Sequence, residues 1–223
     1  MKIIGSPSEW LSLIDTLVPE ILDLVVSTWD KMPPPAPNAF EDPTTEELCR
    51  CLRQNRNSSN LPFTIHIQFV ELEPAAEQDQ GRLDIAFFPA GVPRENIYFC
   101  LECKRLDVVK DGKFRSYAPE YVIHGMMRFV RGQYSAGVQN GGMLGYVLDG
   151  NTDQAIDSVG NAVQVRHTDL GMTGRGDMQP SAVRPENTRL RETYHTRPHD
   201  GLPFRIHHIF VPGVIAAGYD KIG

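Results

Sequence analysis

The chain has no apolar run long enough to cross a bilayer: Leu144 to Leu148 and Ile209 to Val211 fall far short of the roughly 20 residues a spanning helix needs. Its first residues, Met-Lys-Ile-Ile-Gly-Ser-Pro, lack a continuous apolar segment and a small-residue cleavage site, so secretion is not expected and a cytoplasmic location is. No internal repeat or long low-complexity stretch is present. Basic charge is not in excess either: the net charge is −6 at pH 7, which argues against bulk electrostatic attraction to nucleic acid. Cysteine is scarce, with four residues at 49, 51, 100 and 103. On a strand, Cys100 and Cys103 point to opposite faces. On a helix, Cys49 and Cys51 lie about 200° apart. Neither pair forms a zinc-chelating tip, so reduced core thiols are expected.

What is present is ordinary for a soluble domain. The 223 residues are 41% hydrophobic and 22% charged, which excludes disordered, collagen-like and coiled-coil chains and suits one domain with a sizeable core. The acidity is local. Residues 1–50 carry three basic residues against nine acidic ones, whereas residues 104–131 carry seven basic against three acidic. The middle of the chain can therefore face a polyanion although the whole is acidic.

Residues 8–31 have apolar side chains at helical spacing (Leu13, Leu17, Ile21, Leu24, Val25 and Trp29), with Ser6 or Ser8 as cap and a kink or break at Pro19. They lead into the proline-rich 33–37, so residues 1–38 read as a helical extension packed on a domain spanning 39–223. A second helix is expected to start near Asp42-Pro43 or Thr44, with Thr44 and Glu47 as a capping box, and to end near Asn55. Three segments, 63–72, 82–88 and 96–106, have strand composition, the last two as an antiparallel hairpin. A helix follows over 119–131, with Val122, Met126, Phe129 and Val130 on one face and His124, Arg128 and Arg131 on the other. A strand is expected at 143–148, a helix capped by Thr152, a long surface loop over 165–193 and a final strand at 204–211. His195, His199, His207 and His208 read as core or surface histidines, since adjacent His207 and His208 point apart on a strand. The fold class is α/β, with the order α-β-β-β-α-β from residue 42 to 148.

Asp84 lies in the strand Leu83-Asp84-Ile85-Ala86-Phe87, and the next strand carries Leu101-Glu102-Cys103-Lys104. Glu102 and Lys104 are two apart and share a face. Charged groups inside an otherwise apolar strand cost free energy unless they are paired or bind a cation. Two carboxylates on neighbouring strands form a hard-oxygen site suited to Mg²⁺, and a lysine beside them can orient or help deprotonate a water. The plain alternative is a cross-strand salt bridge between Asp84 and Lys104.

An acidic residue in one strand, then Glu-X-Lys in its hairpin partner, within an α-β-β-β-α-β order, resembles the PD-(D/E)XK nuclease superfamily, whose restriction-endonuclease-like core has a mixed central sheet flanked by helices. The resemblance covers about residues 41–148, and Leu83 stands where many members have proline. It implies metal-dependent hydrolysis of phosphodiesters in nucleic acid, with DNA as substrate, Mg²⁺ as cofactor and Mn²⁺ as substitute. Carried over, Asp84 and Glu102 are metal ligands, the main-chain carbonyl of Cys103 is a third, and Lys104 serves the water. Glu41 is the favoured acidic residue from the first core helix and Glu47 the alternative, while Glu46 faces solvent. Gln133 is an accessory site residue or a turn former.

His124, Arg128 and Arg131 track phosphates along one helix face or are merely solvated, and Arg166, Arg175 and Arg184 add cationic charge from the loop. With no second module in view, a homodimer or an operon-encoded partner is expected, in prokaryotic genome defence, repair or a mobile element. Two rival readings are a catalytically inactive nuclease-fold binding or scaffold module and an unrelated α/β protein.

Overall fold

The computed structural model describes residues 6–72, 74, 75, 78, 80–92, 94, 96–173 and 176–213. Ser6 begins the first helix: its hydroxyl accepts the Glu9 N–H while Glu9 accepts the Ser6 N–H, a capping box. Helix α1 runs Pro7–Trp29 and passes through Pro19 without ending, where a kink or break was expected. Its face of Ile14, Leu17, Val18, Ile21, Leu22, Val25 and Trp29 is buried, and that burial outweighs the ~3 kcal/mol an internal proline costs. The helix is packed on the core, with Trp29 stacked on Tyr146 at 5.2 Å between centroids and its indole N–H donating to the Pro212 carbonyl at 2.8 Å.

Helix α2 spans Glu41–Ser59, longer at both ends than its sequence signals indicate. Phe40 occupies the N-cap without a side-chain bond. The expected capping box does not form, because the Thr44 hydroxyl donates back to the Phe40 carbonyl at 2.8 Å and Glu47 pairs with Arg50. Asn60, left-handed at φ 51°, ends the helix.

The strands follow as β1 (Phe63–Val70), β2 (Arg82–Pro89) and β3 (Phe99–Leu106), then a small hairpin of β4 (Val108–Lys110) and β5 (Lys113–Arg115). That hairpin was not expected, although Asp111-Gly112, both with positive φ, is the dipeptide such a turn requires. The expected 119–131 helix is three pieces: α3 (Ala118–Tyr121), a π-helical turn Val122–Met126, and α4 (Met127–Val130). Strand β6 (Asn140–Val147) precedes α5 (Thr152–Val165), whose cap is Asn151, not Thr152: the Asn151 side-chain oxygen Oδ1 accepts the Gln154 N–H at 3.2 Å. Strands β7 (Gln179–Pro180), β8 (Leu190–Thr196) and β9 (Pro203–Pro212) are the last described elements.

Among the described residues, the main sheet has seven strands in the order β1-β2-β3-β6-β9-β8-β7 and is mixed. Strands β3, β6 and β9 run parallel, while β1–β2, β2–β3, β8–β9 and β7–β8 pair antiparallel. One face packs against α1 and α2, the other against α3 to α5. Cys103 lies in the first core and Cys100 in the second, as the pleat requires, and all four thiols are free. Among the described residues, no helix is long and apolar enough to cross a membrane.

Strand β8 corrects the expected 165–193 loop. Its inward residues Glu192, Thr193 and His195 are polar but buried. His195 Nδ1 lies 2.8 Å from the Leu170 carbonyl, which can only accept, so that nitrogen carries the proton and Nε2 accepts from Thr193 at 2.7 Å. Thr193 then accepts from His208 Nε2 at 2.9 Å, and His208 Nδ1 accepts from Tyr121 at 3.0 Å. Every member is satisfied with both imidazoles neutral, in keeping with burial that pushes His195 down to about 4 and His208 well below its usual value.

Candidate functional site: an open strand edge lined by carboxylates

The site begins where a ladder stops. Strands β2 and β3 pair from Phe87↔Phe99 to Ile85↔Leu101 and no further. On its other side, β2 pairs with β1 at Ile67↔Ile85 and Phe69↔Leu83 but not between them, where Gln68 has φ 51°. Asp84 thus sits at a gap in the pairing on both edges of its strand. Beyond Leu101, β3 keeps β6 on one side through Leu106↔Val147. On the open side, the Asp84 carboxylate accepts the Cys103 N–H at 2.7 Å, and Glu41, at the start of α2, accepts the Arg105 N–H at 3.1 Å. Two carboxylates stand in for the missing strand, which is how buried main-chain donors there are satisfied.

Continuing the register by one residue sets Asp84 opposite Glu102, on the same face. Lys104 Nζ bridges Glu102 Oε1 at 2.9 Å and Glu41 Oε1 at 3.0 Å, and also donates to the Cys103 carbonyl at 2.8 Å. Arg128 Nη1 donates to Glu102 Oε1 at 2.8 Å and to the Tyr134 hydroxyl at 2.7 Å, which in turn donates to the Arg82 carbonyl at 2.9 Å. Arg128 reaches inward from a helix that carries the π turn one turn earlier, a local widening found often at functional sites. Gly125, within that turn, lets the helix lie close: a Cβ there would stand 2.3 Å from Met143 Cε and 3.8 Å from Glu102 Cγ.

Among the described residues, three carboxylates, Glu41, Asp84 and Glu102, meet two cations, Lys104 and Arg128, so the cluster is one positive charge short. The shortfall falls on Asp84, pushed up to about 7 by burial first and by neighbouring Glu102 second, against the opposing pull of Lys104 and the Cys103 N–H. Glu102 is also raised, mainly by burial, although Lys104 and Arg128 oppose it. Burial pushes Lys104 down, but Glu102, Glu41 and Asp84 together outweigh it and hold the ammonium protonated. Glu102 Oε2 is buried with no hydrogen-bond partner among the described residues.

Of the residues singled out in the sequence, Glu41, Asp84, Glu102, Lys104 and the main chain of Cys103 converge here. Glu47 does not: it pairs with Arg50 on the outer face of α2, and Glu46 is exposed. The shared face read for His124, Arg128 and Arg131 divides, since Arg128 turns into the cluster whereas His124 and Arg131 are exposed. The main-chain N–H of Gln133 donates to the Arg128 carbonyl at 2.9 Å, and it is the next residue, Tyr134, that enters the cluster. Tyr134 and the inward role of Arg128 were not anticipated: helical spacing places Arg128 on the outer face, and Tyr134 enters only through its hydroxyl bonds to Arg128 and the Arg82 carbonyl. Arg166 and Arg184 are in ion pairs with Asp169 and Asp23, and Arg175 lies outside the described residues.

Among the described residues, no group of three or more His, Cys, Asp and Glu is arranged to hold a metal ion. The oxygen donors at the open edge are Asp84, Glu102 and the Cys103 carbonyl, the last now occupied by Lys104. No family model, curated protein or solved structure matches the chain.

Proposed function

We propose that this protein is a nuclease that hydrolyses phosphodiester bonds in nucleic acid, with DNA as substrate, Mg²⁺ as cofactor and Mn²⁺ as substitute. The observation that carries the reading is the convergence of Glu41, Asp84, Glu102 and Lys104 on an unpaired strand edge that lacks one positive charge. A structural salt bridge would be expected to balance; this cluster balances only if Asp84 takes a proton or a cation arrives. The α2-β1-β2-β3-helix-β6 order, with β3 and β6 parallel, further supports the likeness to the PD-(D/E)XK nucleases.

The residues fit the metal. Mg²⁺ is usually held by one or two carboxylates, with waters and phosphate oxygens completing its shell, so a cage of three protein groups is not needed. Asp84 and Glu102 would hold it, the latter through its free Oε2. When bound, Mg²⁺ supplies Lewis-acid neutralisation of charge on the scissile phosphate. Lys104, held protonated, acts as a donor that orients the attacking water and steadies developing negative charge, not as a base. Glu41 fixes Lys104, and Arg128, braced by Tyr134, opposes the upward push that burial exerts on Glu102. A homodimer or a partner protein would supply the surface that selects the DNA.

A second reading, an inactive binding module on the same fold, is favoured by one observation: Lys104 and Arg128 already engage Glu102 without a metal. Incubation of supercoiled plasmid with the purified chain decides between them. Nicking or linearisation with Mg²⁺ or Mn²⁺ that stops in EDTA is expected; intact plasmid under all divalent conditions would leave the binding module.

A further inference from the structure

Beside the carboxylates lies a second feature that the hydrolytic cluster does not use. Phe40, just before α2, is 71% exposed. The Arg105 guanidinium stands 5.6 Å from the Phe40 ring centroid and 5.4 Å from that of Tyr117, and Arg115 stands 4.4 Å from Tyr117. Rings and guanidinium groups therefore alternate along Phe40, Arg105, Tyr117 and Arg115. Arg105 is fixed in this series by a hydrogen bond from Nη1 to the Ala39 carbonyl at 3.2 Å.

The four residues line a cavity of about 530 Å³ together with Lys110 and Lys113 of the β4–β5 hairpin, a volume within the ~300–1,000 Å³ typical of ligand sites. Arg105, Lys110, Lys113 and Arg115 face Asp111 among the described lining residues, and Arg115 is paired with Glu120 at 3.0 Å. A neighbouring recess shares Phe40 and Arg105 with the cavity and includes Glu41, the residue that holds Lys104. The cavity thus adjoins a recess that reaches Glu41, in a chain whose charge is otherwise net negative.

We infer that this cavity is a subsite for one unpaired nucleotide of the substrate strand, with its base stacked on the ring of Phe40 and its phosphate beside Lys110 and Lys113. The inference rests on the nuclease reading, since a strand crossing Lys104 is what would be led into the cavity. Aromatic faces interleaved with cations suit a single strand, because any base offers a face for stacking and the backbone follows the positive charge. A base inside a duplex has both faces covered by its neighbours and cannot stack on Phe40, and the cavity is too small for a paired helix.

The test is fluorescence anisotropy on the full chain in EDTA, with a labelled single-stranded oligodeoxynucleotide of about 12 residues and the same sequence as a blunt duplex. The single strand should bind more tightly. Phe40→Ala should weaken single-strand binding about tenfold and leave duplex binding unchanged, with Phe40→Trp restoring it. Replacing Lys110 and Lys113 together by Ala should reduce the slope of log affinity against log salt by about 1.4. Duplex binding as tight as single-strand binding, or single-strand binding indifferent to both sets of substitutions, overturns the inference. So does displacement of the strand by an equal concentration of a free nucleoside monophosphate, which would assign the cavity to a free nucleotide. Plasmid cleavage with Mg²⁺ on the same preparations separates the two proposals. Cleavage alongside indifferent binding removes only the subsite; Phe40-dependent single-strand binding without cleavage removes only the hydrolysis.

Discussion

The carboxylate of Asp84 lies 2.7 Å from the main-chain nitrogen of Cys103, filling the place of a ladder bond that β2 and β3 no longer make. The position serves the backbone but burdens the carboxylate. Asp84 gains one N–H and loses most of its water, and it stands beside Glu102 with its pKa pushed up from 3.8 to about 7. A group held in this state by its surroundings is one whose charge a ligand can control.

The first prediction concerns stability against pH. Since the folded pKa of Asp84 lies above the unfolded one, the native protein keeps a proton that the unfolded chain releases. Its contribution is therefore fully present below the unfolded value and is lost as pH rises toward about 7. Asp84→Asn abolishes this dependence yet keeps an oxygen for the Cys103 N–H. Urea unfolding without divalent ions should show the two proteins converging near pH ~4 and the variant more stable by about 2–4 kcal/mol near pH ~8. A difference that does not change with pH would contradict it.

A second prediction follows for the cation. An ion that binds only the folded state raises the melting temperature in a concentration-dependent way, by about 2.7 kcal/mol in stability at a hundredfold excess over Kd. Mg²⁺ and Mn²⁺ should stabilise the wild-type chain near neutral pH and leave Asp84→Asn unmoved. Binding should also release protons, read by titration calorimetry in two buffers of different ionisation enthalpy. Equal stabilisation of both proteins would place the ion elsewhere.

The third prediction separates two arginines that the sequence groups together. Arg128→Ala leaves Glu102, whose side chain is 1% exposed, with Lys104 as its one remaining cation, and should cost about 1–3 kcal/mol of stability. Arg131 is exposed, so Arg131→Ala should change stability by less than about 0.5 kcal/mol. If Arg131 meets a phosphate, its loss should reduce the salt slope of duplex binding by about 0.9. Denaturation and salt titrations of the two single variants are sufficient to distinguish these roles.

The readable part of this site was set by cost. A carboxylate and an amine two residues apart in an apolar strand must be accounted for, which marks Glu102 and Lys104, and helical spacing puts Glu41 on the same face of α2 as Leu48. Glu41 over Glu47 follows from direction as well, because Glu47 points to the Arg50 side. Other features were hidden because their stabilising partners are remote. Strand β8 buries Glu192, Thr193 and His195, which look like loop residues until Tyr121, His208 and Leu170 are seen to satisfy part of the row. Tyr134 enters through its hydroxyl bond with Arg128, which helical periodicity places on the outer face. The β4–β5 hairpin was legible in Asp111-Gly112, but its strands are only three residues each and carry too little alternation to stand out.

The central claim is tested most directly by comparing DNA cleavage by the wild-type chain, Asp84→Asn and Lys104→Ala with Mg²⁺ present, each shown by its melting curve to be folded. The account predicts cleavage by the wild-type chain and a loss of at least about a hundredfold in either variant, the scale typical of removing one charge-stabilising group from an active site. Undiminished cleavage by folded Asp84→Asn, or by folded Lys104→Ala, would contradict it.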